Sequence, residues 1–379
     1  MPASTRSNSH AGEVDTPNKK RKIQSEERID SLQAAPEIGE RSKDLWFDDG
    51  SVIVAAKDRA FKVHASVLML RSEVFKELLN GPALAQLPEK LEGCPVLRVE
   101  DEGRDFEYLL AIIYNGGNSL RPPIDYTEFR VVVAVAVKYK VKEIINEPIY
   151  RLSQVFPTGS VDDWDPDLRP DGDKTPIALV RDDCIDVLSI ARLLNMNSIL
   201  PLVFYTCCNI EEMAAISWGV NHGDGPEFGH ISEEDLHTYL EGRQALMKET
   251  KKLAGYPANC TTRPQCLLTF QNLSFAALDA DFYHEPSPIN GMDAWLDTAK
   301  EKPNAKPCRH CDKVLRKFIN GRREEAWCKL GDIFCIAEWP AGQPTHSELN
   351  GCVKQQGGNN APAGAGAGAA PKNTAAAAS

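Results

Sequence analysis

Residues 41–79 read RSKDLWFDDGSVIVAAKDRAFKVHASVLMLRSEVFKELL, and two changes of periodicity inside them decide the fold. Val52 and Val54 alternate with Ser51 and Ile53, and Phe61 and Val63 alternate with Lys62 and His64. That is the period of two a half-buried strand requires. The polar Ala-Lys-Asp-Arg between the two runs suits a turn, so a hairpin is predicted. From Val67 the apolar spacing becomes helical, with Val67, Leu68 and Leu70 first, then Val74, Phe75, Leu78 and Leu79. Ser72, followed by Glu73, divides the two sets as a helix N-cap would.

Working outward, PVLRVED at residues 95–101 alternates again and predicts a third strand. RDFEYLLAIIYNGG (104–117) places Phe106, Leu109, Leu110 and Ile113 on one helical face, closed by Gly116 and Gly117. The valine-rich start of residues 127–156 has strand propensity, but its length and Lys138, Lys140, Lys142 and Glu143 favour one or two helices.

This order of strand, strand, helix, helix, strand, helix, helix resembles the BTB/POZ domain. The resemblance is close at FKVHASVLMLRSEVFKELL (61–79), where that family shows Phe-x-Val-His, two further residues, Val-Leu, and then Ser-x-x-Phe. Together with RSKDLWFDDGSVIV (41–54), the segment is similar to the fungal BTB-domain proteins in particular. Looser similarity continues through VAVKYKVKEI (135–144), SIARLLNMNSILPLVFYTCC (189–208) and CRHCDKVLRKFINGRREEAWCKLGDIF (308–334). The fold class expected is therefore α+β: an N-terminal BTB/POZ domain, a small sheet with helices, followed by a mainly α-helical C-terminal region. The resemblance implies a non-catalytic interaction module, usually a homodimer and sometimes a platform for cullin-type ubiquitin ligases.

It also implies which residues form the motif and interaction surface: Asp44, Trp46, Phe47, Phe61, Val63, His64, Val67, Leu68, Ser72 and Phe75. The Asp44 position looks like the family's acidic residue near the dimer seam. Trp46, Phe47 and the apolar face of the first helix are a large hydrophobic area for a small domain to cover alone, which a two-fold interface would bury; packing of Trp46 and Phe47 inside the domain is the other reading. Leu87, Pro88 and Glu89 roughly fit the family's short cullin-binding element. Ala65 stands where many members carry Arg, so no role of that cation is carried over. An imidazole supplies one donor and one acceptor, so His64 is read as pinning its strand to the following helix. Catalysis by His64 would need a nucleophile or metal partner, and the sequence offers no clear one.

The chain has 379 residues, enough for two or three domains, with 42% apolar and 26% charged residues, an ordinary globular balance. A formal net charge of −11 argues against broad nucleic-acid binding. No long apolar run or signal-peptide core occurs, so neither membrane insertion nor secretion is expected. Residues 1–40 are expected to be disordered, 41–155 to form the BTB/POZ domain, 177–340 the helical region, and 353–379 a disordered Gly/Ala-rich tail. The Asp-, Pro- and Gly-rich residues 156–176 read as a long loop or boundary. Lys19, Lys20, Arg21 and Lys22 form either a nuclear import signal or a solvated charge run, leaving location as nucleus or cytoplasm.

Eleven cysteines without a signal segment suggest reduced thiols. Cys260 and Cys266 form one pair, and Cys308 and Cys311 another with His310 between them. Two such pairs can grip one tetrahedral Zn²⁺, structural because four ligands leave no open position; buried apolar thiols are the other reading. Cys328 and Cys335 are expected in the core. No hydrolase elbow, phosphate loop or dinucleotide fingerprint occurs, so no enzyme and no catalytic residue is expected. A cysteine nucleophile, Cys260 or Cys308 with His284 or His310, has no matching local signature. The expected function is an adaptor or scaffold acting through self-association and partner binding. The alternatives are a substrate adaptor of a cullin-type ligase and a nuclear transcription-associated regulator.

Overall fold

The computed structural model describes residues 38–116, 123–220, 230–255, 266, 285–290 and 307–340. The hairpin is β2 (Val52–Ala55) and β3 (Arg59–Val63), antiparallel with Val54 opposite Phe61. Preceding it is β1 (Glu40–Trp46), an edge strand parallel to β3. After helices α1 (Ala65–Arg71), α2 (Glu73–Leu78) and α3 (Gly81–Ala85) come β4 (Lys90–Leu91) and β5 (Cys94–Arg98). The sheet order is β1-β3-β2-β5-β4.

All four β2 residues are buried because the sheet is covered on both faces. Val52, Val54, Phe61, Val63 and Leu97 join the main core. Ile53, Ala55, Ala60 and Val96 join Ile38 in a smaller cluster, with Trp46, Leu91 and Cys94 packed at its margin. β1 was not foreseen from the sequence. Its only buried positions are Ser42 and Leu45, three residues apart, so it lacks the two-residue alternation of a strand.

α4 (Gly103–Asn115) closes the main face with Phe106, Leu109, Leu110, Ile112 and Ile113. It ends at Gly116, whose φ of 70° is the left-handed conformation glycine tolerates best. Two-residue β6 (Ile124–Asp125) then leads into α5 (Tyr126–Lys138) and α6 (Lys142–Val155). The valine run is helical. Asp125 caps α5 by accepting from the N–H groups of Thr127 and Glu128 at 2.9 and 3.3 Å. Val131, Val132, Val133, Val135 and Ala136 are all buried, so this helix is apolar nearly all round because it is enclosed nearly all round.

Beyond α6, residues 156–176 contain no long element, yet they are no spacer. Ile124 of β6 pairs in parallel with Ile177 of β7 (Ile177–Ala178), bringing the chain back against α5. Trp164 is 3% exposed and packs edge-on to Tyr205 and against Trp327. Among the described residues the helical region contains α7 (Cys184–Leu193), α8 (Leu200–Cys208), α9 (Met213–Trp218), α10 (Glu233–Lys251), α11 (Arg309–Cys328) and α12 (Leu330–Ile333). Every residue of α8 is buried, and α7, α10 and α12 pack around it. Phe334 stacks on Phe204 at 5.2 Å, and a Cβ at Gly242 of α10 would collide with the Phe334 ring. The main apolar cluster runs unbroken from Leu45 to Trp339.

A buried ion pair joins the two parts of this core. Arg130 of α5 meets Asp186 of α7, Nε to Oδ2 at 2.6 Å, with side chains 4% and 0% exposed. Beside it the Tyr126 hydroxyl donates to the Asp183 carbonyl at 3.3 Å. Removing one partner of such a pair strands a buried charge, so Arg130→Met is expected to cost about 3–5 kcal/mol. Because the core is continuous, denaturation followed by circular dichroism and by tryptophan fluorescence should give one coincident transition; two separated midpoints would contradict it.

Burial pushes the Asp183 carboxyl from its ordinary 3.8 up to about 7. Between those values the folded chain holds a proton that the unfolded chain has released. This contribution to stability is therefore complete below about pH 4 and is lost as pH rises through about 7. Asp183→Asn should flatten the stability profile across that window, as read by denaturant midpoints at successive pH values.

Candidate functional site

The two segments that carry the family pattern fold into interlocking corners. Phe61 and Val63 are 0% exposed, and His64 follows them as the residue before α1. The His64 backbone N–H donates to the Tyr114 hydroxyl at 2.9 Å, and that hydroxyl lies 3.0 Å from His64 Nδ1. Nε2 is 3.2 Å from the exposed Asp49 carboxylate. A neutral ring satisfies the whole set: Tyr114 donates to Nδ1, and Nε2–H donates to Asp49. The histidine thus pins its strand to α4 and to the turn before β2, not to the following helix. Burial raises the Tyr114 phenol above its ordinary range, which favours the neutral donor this arrangement needs. Phe47 closes the corner, stacked on Tyr114 at 5.0 Å and 5.2 Å from the imidazole. A phenol, a surface carboxylate and an aromatic ring position a backbone; they do not form a nucleophile–base pair.

Ser72 forms the second corner. Its hydroxyl accepts from the Phe75 N–H at 3.0 Å, capping α2, and donates to the Tyr139 carbonyl at 2.5 Å. Phe75 stacks on the Tyr139 ring at 4.7 Å and meets Phe106 edge-on. Ser-x-x-Phe is thus one unit, in which the serine ends α1, starts α2 and fastens both to the end of α5, while the phenylalanine fills the space below. Tyr139 also donates through its hydroxyl to Asp101, which Lys138 contacts at 2.8 Å.

The BTB/POZ domain family model matches residues 45–154. The chain carries a BTB/POZ domain. No curated protein and no solved structure matches the chain. BTB/POZ domains are protein–protein interaction modules, so protein binding is the function this part of the chain supports. No helix among the described residues is long and apolar enough to cross a membrane.

Of the residues read as interaction surface, Phe61, Val63, Leu68, Ser72 and Phe75 lie within the BTB/POZ interior. They shape a surface without forming it. Trp46 and Phe47 are only half-exposed: Arg41 lies 4.5 Å over the Trp46 ring, and Phe47 belongs to the histidine corner. Val67 is half-buried and Asp44 is exposed on β1. Leu70, one of the apolar positions of the first helix, is 77% exposed, and Leu78 is 40% exposed. Glu89 of the cullin-like element is held by Arg98 through two contacts of 3.0 and 2.9 Å.

In the helical region, Cys266, Cys308 and Cys311 come together with their sulfurs all within 4.8 Å of one another. His310 is exposed and does not join them. Cys260, His284 and Lys19, Lys20, Arg21 and Lys22 lie outside the described residues. Cys328 and Cys335 are exposed rather than in the core, because they fall on the outer side of α11 and after α12. Cys335 is disulfide-bonded, which departs from the expectation of reduced thiols throughout. Several cations of the basic stretch along α11 are engaged locally: Arg316 pairs with Asp312, Arg322 and Lys329 with Glu325, and Arg323 donates to the Ile289 carbonyl.

Tyr114 is the residue that reading by sequence missed. Its polar hydroxyl on an otherwise apolar helical stretch was the available signal. Ser72→Ala removes both a cap and a buried hydrogen bond and is expected to cost about 1–2 kcal/mol, measured by denaturant unfolding. Tyr114→Phe keeps the ring packing, so its cost should stay near 1 kcal/mol.

Proposed function

We propose that this protein is a non-catalytic adaptor or scaffold that self-associates through its BTB/POZ domain and presents the helical region to a protein partner. The observation that carries the reading is the family match across residues 45–154. The exposed surface agrees with it. Leu70 stands 77% exposed on α1, with Val67 and Met69 half-buried on the same helix. β1 is an edge strand, with one side of its backbone facing no other strand among the described residues. A two-fold contact through α1 and this edge would cover both features on each copy.

A cullin-adaptor role has less support. Arg98 already engages both oxygens of Glu89, and a ligase using that carboxylate would first have to break the pair.

The test is the mass in solution. At micromolar concentration, light scattering should give twice the chain mass of 41.8 kDa. Leu70→Glu should shift the population toward single chains with little change in melting temperature, since an exposed residue contributes little to the fold. A wild-type mass of 41.8 kDa across that range would overturn self-association.

A further inference from the structure

We infer that Cys266, Cys308 and Cys311 hold a structural zinc ion as thiolates. Two segments of chain converge here. Cys308 is the N-cap of α11, Cys311 sits one turn further on, and Cys266 reaches them across 42 residues of sequence. Their three sulfurs lie within 4.8 Å of one another. A tetrahedral zinc with Zn–S bonds of about 2.3 Å needs sulfurs roughly 3.8 Å apart, so small side-chain movements bring all three onto one ion and leave its fourth position to a further ligand.

A second observation points the same way. The Cys308 backbone N–H is directed at the Cys266 sulfur, 3.3 Å away. An N–H aimed at a ligand sulfur is the outer-layer contact that steadies metal thiolates. Cys266 and Cys311 are 2% and 3% exposed, which keeps water and oxidants from the ligands.

The electrostatics favour a dication. Three thiolates crowd negative charge into the first turn of α11. The helix N-terminus offsets part of it, and a metal offsets the rest. Among the described residues, no carboxylate and no imidazole belongs to the cluster. An all-sulfur donor set selects zinc over magnesium or calcium.

The consequence is mechanical. The ion would fasten the start of α11 to the segment around Cys266, while its far end is fixed by Trp327, which is 2% exposed and donates to the Gly159 carbonyl at 2.8 Å. Held at both ends, α11 keeps the aromatic group Trp164, Trp327 and Trp339 closed.

Full-length, tag-free chain prepared with zinc in the medium and exchanged into chelator-treated reducing buffer should carry about one equivalent of zinc by mass spectrometry of the metal. Cys266→Ser, Cys308→Ser and Cys311→Ser should each lose most of it. In case these variants fail to fold, cobalt exchanged into the wild-type chain provides an independent reading. Tetrahedral visible bands with a thiolate charge-transfer band support the site. Less than about a tenth of an equivalent of zinc, a cobalt spectrum without the thiolate band, or undiminished zinc in folded variants overturns it.

Discussion

α5 is the wall on which both parts of the protein are built. It receives α4 and, at its C-terminal end, the start of α2, and it also meets β7 and the helical region. An amphipathic helix could serve only one neighbour, whereas this valine-rich helix buries side chains in several directions. The Arg130–Asp186 pair is the polar counterpart of that arrangement. Burying two charges is costly, and they fix the docking geometry because neither tolerates being left alone. The BTB/POZ domain and the helices after it therefore share one interior.

The family's short motif has a physical explanation here. Strand, helix and helix meet at two corners, and at each a small polar group satisfies more than one hydrogen-bonding partner. Ser72 accepts from one backbone group and donates to another. His64 and Tyr114 divide three contacts between a backbone N–H, a ring nitrogen and a carboxylate. Chain reversals leave orphan backbone groups that an apolar core cannot satisfy, so the residues that fill this need are few. The apolar members, Phe61, Val63 and Phe75, then make the corners dry.

The same economy bears on function. Motif residues that are buried cannot bind a partner directly; they hold the domain's surface in place. The most exposed apolar residue of α1 is Leu70, and β1 forms one edge of the sheet. The three-cysteine cluster is separate in kind. It lies in the helical region, where Cys266 meets the first turn of α11.

Local pattern by itself determined the hairpin, the Ser72 cap, the apolar face of α4 and the Cys308–Cys311 pair, because each is set by neighbours within a few residues. It also favoured helix for the valine run, where length outweighed propensity. Tertiary structure alone decided the rest. β1 is a strand only because β3 offers it hydrogen-bonding partners, and Leu70 is exposed because α1 turns that position away from the core. Tyr114 meets His64 across 50 residues, Trp164 becomes core when Tyr205 and Trp327 enclose it, and Cys266 reaches its partners only when α11 docks. Such contacts depend on which distant surfaces meet, and no local periodicity encodes that.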